Sequence, residues 1–196
     1  MTRAGEGVRV LIPRTPKEIW LNRVRVWLPP AFVVCAVVLK RPMWHWWGAP
    51  LVLVGESLRT WAAGHLLKDE QLTVGGPYAY TRNPLYLGSM ISGVGFLALL
   101  GDWLLAGVFA VIALAVYVPS VRQEEDYLKR MHAQAFDAYC RAVPALVPRL
   151  LPAKVNAEGV RHSRFEWDRV WLNKEHRTWA ALAALVGILL LRTWGP

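Results

Sequence analysis

The stretch that most constrains this chain is the apolar run from Leu85 to Val118, interrupted only by Gly101, Asp102 and Trp103. As one helix it would be about 50 Å long at ~1.5 Å per residue, against a bilayer hydrocarbon core of ~30 Å. Folding back at Gly101-Asp102 resolves the misfit and predicts two short helices in a hairpin. Three further apolar blocks are Val26–Leu39, Met43–Leu67, which opens on a Trp cluster, and Thr178–Trp194. The first is short for a span, but Arg23, Arg25 and Lys40 at its ends can snorkel to the headgroups. These blocks predict an all-α fold, a polytopic membrane bundle of about five transmembrane helices with a cytoplasmic amphipathic helix.

Composition agrees with a membrane protein. Of 196 residues 55% are hydrophobic, above the usual share for a soluble domain. The net charge of +9 fits nucleic acid or an anionic membrane surface, and the apolar runs favour the membrane. Cys35 and Cys140 match no metal or redox spacing and read as packing residues. The first residues contain no apolar core of signal-peptide length, so no cleaved export signal is expected. Lys and Arg are dense before Val26 and again from Arg122 to Arg177, so by the positive-inside rule the N-terminus, Lys68–Arg82 and Arg122–Arg177 face the cytoplasm, and five spans then put the C-terminus outside. Lys40 and Arg41 fall on the opposite side. The chain divides into an N-terminal segment and first membrane helix (1–42), a core (43–150), and an interfacial segment with the C-terminal helix (151–196).

Chemistry concentrates between Gly75 and Gly88, "GGPYAYTRNPLYLG". Gly75-Gly76-Pro77 reads as a turn. Asn83-Pro84 reads as a helix start, with Asn83 as N-cap and Pro84 at the first helical position. A helix N-terminus with Arg82 beside it favours an anion, and Tyr78, Tyr80 and Tyr86 add aromatic faces and hydroxyls. The residues leave two readings open: a pocket for a ligand with a carboxylate or phosphate and a flat ring, or an interfacial belt of tyrosines. Glu56 and Arg59 lie three apart inside an apolar helix, where ionisable groups are costly and either functional or paired between helices. Glu124 and Glu125 open the cytoplasmic helix that leaves the fourth span, after Val118, where a first-turn dipole role is the plain alternative. Beyond them Glu125, Leu128, His132, Phe136 and Tyr139 form one helical stripe, ended by the prolines of "VPALVPRLLP". "FEWDRVWLNKEHR" mixes aromatics and charges as interfacial segments do.

In this order the segments "LRTWAAGHLLKDEQLTVGGPYAYTRNPLYLGS" and "EEDYLKRMHAQAFDAYCRAVPALVP" resemble the isoprenylcysteine carboxyl methyltransferase and phospholipid methyltransferase superfamily. The resemblance covers roughly Gly55 to Pro148. It implies an integral membrane enzyme that uses S-adenosyl-L-methionine and no metal. By that resemblance Leu72, Thr73, Tyr78, Asn83, Pro84, Leu85, Tyr86, Glu124 and Glu125 bind the cofactor, and Arg82, Arg122 and Glu125 are the catalytic candidates. The implied acceptor is lipophilic: an isoprenylcysteine-like carboxylate, a phospholipid headgroup or another membrane lipid. Implied partners are that acceptor and membrane lipids, with no nucleic acid, and the implied location is a bacterial inner membrane with the site facing the cytoplasm. Two positions depart from the family pattern. Asn83 stands where a histidine is usual, and Ser120 stands where eukaryotic carboxyl methyltransferases carry a substrate-binding arginine. Two other classes are compatible with such helices: an NADPH-dependent membrane sterol-type reductase and a non-catalytic membrane scaffold. His65 and His132 read as polar contacts, and Arg161–Arg177 as a basic surface for anionic lipids.

Overall fold

A computed structural model describes residues 16–39, 45–67 and 72–194. Lys40, Arg41, Met43 and Lys68, named above, lie outside them. Apart from one short parallel ladder, the regular elements of the described chain are helices. Its elements are α1 (Pro16–Leu39), α2 (Gly48–His65), β1 (Leu72–Thr73), a 3-10 turn (Gly76–Ala79), α3 (Pro84–Leu99), α4 (Trp103–Ala142), β2 (Val160–Arg161), α5 (Trp167–Leu172) and α6 (Glu175–Trp194). In the ladder Leu72 pairs with Val160 and Thr73 with Arg161.

The predicted hairpin is present. Gly101 takes a left-handed φ of 72°, which a side chain would resist. Asp102 then caps α4, its carboxylate accepting the Leu105 N–H at 3.0 Å. The fourth predicted span runs on into the polar amphipathic stretch, as expected, and together they make the 40 residues of α4. It turns at His132 and Ala133, both outside helical φ/ψ, so the expected stripe is split there. The half before the turn carries Glu125 towards the bundle, and the half after it buries Phe136 and Tyr139.

The expectation of five spans is met only in part. Among the described residues one helix, α4, is long and apolar enough by itself to cross a membrane. Trp27–Leu39 and Pro84–Leu99 are apolar but shorter. α2 and α6 reach 18 and 20 residues but carry charges, Glu56 and Arg59 in one and Glu175, Arg177 and Arg192 in the other.

Antiparallel α2 and α3 touch backbone to backbone through two glycine pairs. A Cβ on Gly48 would lie 2.5 Å from the Gly95 carbonyl oxygen, and one on Gly55 2.6 Å from that of Gly88. The partners recur seven residues apart on each helix, the small-residue contact that lets helices approach in an apolar medium. Two apolar cores result. The first, in the bundle, joins Val33 and Val37 of α1, Phe96 and Leu97 of α3, Phe109, Ala113 and Tyr117 of α4 and Leu189 of α6. The second, in a small cap, joins Leu72, Val74, Phe136, Tyr139, Val143, Ala153 and Val155. The Gly75–Asn83 loop runs between them.

Candidate active site

Gly76 begins the loop with φ of 57°, and its missing side chain makes room for the His65 ring, whose Cδ2 would lie 2.5 Å from a Cβ there. The turn closes through Tyr78 N–H to Gly75 O and Tyr80 N–H to Pro77 O, at 3.2 and 3.1 Å. From the cap, Tyr139 donates its hydroxyl to the Tyr78 carbonyl at 2.8 Å. Burial pushes both phenols up, that of Tyr78 well above its ordinary value, and for Tyr139 it outweighs the opposing pull of Arg82. Both rings are therefore neutral around pH 7, suited to holding the loop rather than to proton transfer.

Asn83 occupies the N-cap position of α3 and Pro84 the first turn, as predicted. The expected cap bond is absent. The Asn83 amide instead donates to the Ala145 carbonyl at 3.0 Å, beside Thr81, whose hydroxyl donates to the same oxygen at 3.0 Å. The α3 terminus thus has no side-chain cap, because the proline-rich segment after α4 draws Asn83 sideways.

Arg82 differs in its surroundings from the sequence expectation of an arginine facing a ligand anion. Its Nε and Nη2 donate to Glu125 Oε1 at 2.8 and 2.6 Å. Its Nη1 donates to the Cys140 and Val143 carbonyls at 3.2 and 2.6 Å, closing the C-terminal end of α4. Next to this pair, the Tyr86 hydroxyl donates to Glu124 Oε2 at 3.0 Å, and the Tyr86 ring lies 5.2 Å from that of Tyr117. The loop and the α3 start that follows it therefore meet the Glu-Glu pair, distant in sequence, in space. Pro84 is buried at the same helix start and Leu85 half-buried. Leu72 and Thr73 sit in the ladder behind the loop, where Thr73 Oγ1 accepts the Leu67 N–H at 3.1 Å. Arg122 is exposed and takes no part in the network. The Ser120 hydroxyl turns onto its own helix, donating to the Val116 carbonyl at 2.8 Å.

A second cluster lies within the bundle. Glu56 and Arg59 share a face as predicted, at 3.8 Å. The closer partner of Arg59 is Glu175 at the start of α6, whose two oxygens accept from Nη2 at 2.8 and 2.9 Å. Arg59 also donates to Ser89 and, at 3.2 Å, to Thr178. Ser92 donates to Glu56 Oε1 at 3.0 Å. Sequence reasoning missed Glu175; its signal was an acid near the end of the stretch of mixed aromatics and charges, just before the last apolar block. It also missed the backbone carbonyls of residues 140–145, which carry no side-chain signal. His65 makes the expected polar contact, Nδ1 to the Trp61 carbonyl at 2.9 Å.

The phospholipid methyltransferase family model matches residues 44–135. A protein-S-isoprenylcysteine O-methyltransferase of Schizosaccharomyces pombe is 30% identical over 102 residues, 52% of this chain and 43% of that protein. The chain belongs to the isoprenylcysteine carboxyl methyltransferase and phospholipid methyltransferase superfamily. It is also similar to the nickel-cobalt-cadmium resistance protein NccN of Alcaligenes xylosoxydans xylosoxydans, 31% identical over 66% of each chain. The cobalt-zinc-cadmium resistance protein CzcN of Cupriavidus metallidurans is 30% identical over 66% of this chain and 65% of its own length. The chain thus spans just under two thirds of these resistance proteins and less than half of the isoprenylcysteine enzyme. No solved structure matches it significantly.

Proposed function

We propose that this protein transfers a methyl group from S-adenosyl-L-methionine to a lipophilic acceptor at the cytoplasmic face of a bacterial inner membrane. The observation that carries this reading is the convergence of Tyr86–Glu124 and Arg82–Glu125 beside a helix start with no side-chain cap. The residues fit the cofactor. The α3 terminus suits the methionine carboxylate, and Glu124 suits a ribose hydroxyl or the amino group. Leu85 and Tyr86 line the open side of that helix start, Leu72, Thr73, Tyr78, Asn83 and Pro84 support it from the buried side, and Glu125 holds Arg82.

When bound, the cofactor supplies an electrophilic methyl on a sulfonium. The task of this chain is then to orient the acceptor and exclude water. Arg82, with its donors on Glu125 and two carbonyls, acts as a positioning residue that fixes the end of α4. An acceptor arriving as a carboxylate needs no base, whereas an ammonium must first lose a proton. In this reading α1, α2, α3, the first part of α4 and α6 cross the membrane, and the acceptor reaches the site from the bilayer. The relatives leave the acceptor open among an isoprenylcysteine-like carboxylate, a phospholipid headgroup and another lipid, and Ser120 offers no cation to a carboxylate.

Calorimetric titration of the detergent-purified protein with S-adenosylhomocysteine, with NADPH in parallel, tests the proposal. Saturable binding of the first alone is the expected result. Binding of NADPH alone would move the protein to the reductases, and binding of neither by folded protein would leave a scaffold.

A further inference from the structure

The segment after α4 exposes an apolar edge that nothing in the described chain covers. Val147, Leu150 and Leu151 are 77%, 97% and 73% exposed, and Pro148 and Pro152 beside them are exposed too. Single exposed leucines are ordinary, but a contiguous apolar tip marks an interaction surface. This tip is held in place. The Arg149 N–H donates to the Tyr80 carbonyl and the Ala153 N–H to the Ala79 carbonyl, both at 2.9 Å. The Arg149 guanidinium closes back on the Ala142 carbonyl. Its side chains therefore project outward from a fixed backbone.

The tip stands at the level of the C-terminal end of α2. Tyr80, which anchors it, has its ring 6.1 Å from that of Trp61, in the last turns of that helix. α5 is fastened at the same level, through Glu166 N–H to Gly64 O at 3.0 Å and the Asn173 amide to Ala63 O at 2.8 Å. It too exposes apolar side chains, Trp167, Trp171 and Leu172. Charge identifies the occupant. Residues 141–154 contain Arg141, Arg149 and Lys154 and no acid. Aliphatic side chains rimmed by cations fit a leaflet containing acidic lipids. Two copies packed through this face would instead bring like charges together.

We propose that the 147–152 tip inserts into the acidic cytoplasmic leaflet at the level of α5, fastening the cap to the lipid beside the candidate site. The proposal rests on the membrane reading of the bundle and is independent of methyl transfer.

Spin labelling tests it in the full chain with Cys35→Ala and Cys140→Ala, reconstituted in vesicles of phosphatidylcholine and phosphatidylglycerol. A nitroxide on Leu150→Cys is compared with one on Asn156→Cys, an exposed cap position, and Leu151→Cys repeats the measurement if the first variant fails to fold. The expected result is that the label at 150 collides with oxygen more than with a nickel chelate, at a depth of roughly 5–10 Å in the headgroup and acyl boundary. The label at 156 should show the opposite. Nickel access at 150 equal to that at 156 would overturn the proposal by placing the tip in water. Low access to both reagents would overturn it by showing a protein cover. An unchanged depth in phosphatidylcholine alone would remove the acidic-lipid part.

Discussion

Arg82–Glu125 and Arg59–Glu175 are both short ion pairs, at 2.6 and 2.8 Å, between residues distant in sequence. Their surroundings differ. Arg59 lies among apolar helices, and its partner Glu175 is 5% exposed. Its Nη1 also donates to Ser89 on α3 and its Nη2 to Thr178 on α6, so one guanidinium ties three helices, while the buried Nε has no hydrogen-bond partner among the described residues. Arg82 lies where the bundle meets the cap, and its remaining donors go to the carbonyls that end α4. A lone charge in apolar surroundings is costly, so the first pair acts as a lock on helix position. The second pair, with part of the Glu125 side chain open to solvent, positions Glu124 and Tyr86 at the proposed pocket.

The largest test of this contrast removes one side of the lock. Arg59→Leu leaves Glu175 buried without its cation and should cost about 3–5 kcal/mol in denaturant titrations. Protein that still folds should keep its S-adenosylhomocysteine affinity, and lost affinity at full stability would reverse the roles assigned to the two pairs. Next comes the helix contact that carries both clusters. Gly55→Val drives a side chain into the Gly88 carbonyl and should cost about 1–3 kcal/mol, read from thermal unfolding.

At the second pair the signs exchange. Glu125→Gln should weaken S-adenosylhomocysteine binding by about tenfold, equivalent to ~1.4 kcal/mol, with a smaller loss of stability than Arg59→Leu. Calorimetry and unfolding measured on one preparation decide it. Tyr139→Phe removes the bond to the Tyr78 carbonyl and should cost about 1 kcal/mol. It also has a pH signature. Both phenols are raised in the folded chain, so their contribution to stability is complete below pH ~10 and is lost as pH rises beyond it. The variant should flatten that alkaline fall in a pH series of unfolding midpoints. The smallest effect belongs to Tyr86→Phe, which should weaken cofactor binding a few-fold while leaving the unfolding midpoint within about 0.5 kcal/mol of the parent's stability.

Much of this was legible where one residue type dictates one local outcome. Gly101-Asp102 reads as a reversal because the apolar run is too long for one span, and the structure turns there on a glycine of positive φ followed by an aspartate cap. Gly76 and Pro84 are similar cases. The turn of α4 at His132 and Ala133 was harder to see, since neither residue is a helix breaker and the helical spacing runs straight through them. Arg82 and Asn83 were legible in place but not in partner. Their neighbours are carbonyls of residues 140–145, and a backbone oxygen looks the same in every sequence.

By itself the sequence determined the helical class and the hairpin, because hydrophobic runs and turn residues act locally. Only the tertiary structure decided which carboxylate each arginine holds. Glu56 lies three residues from Arg59, yet Glu175 holds it more closely from 116 residues away. Ion pairing depends on distance in space and on the dielectric around it, and both exist only once the helices have packed.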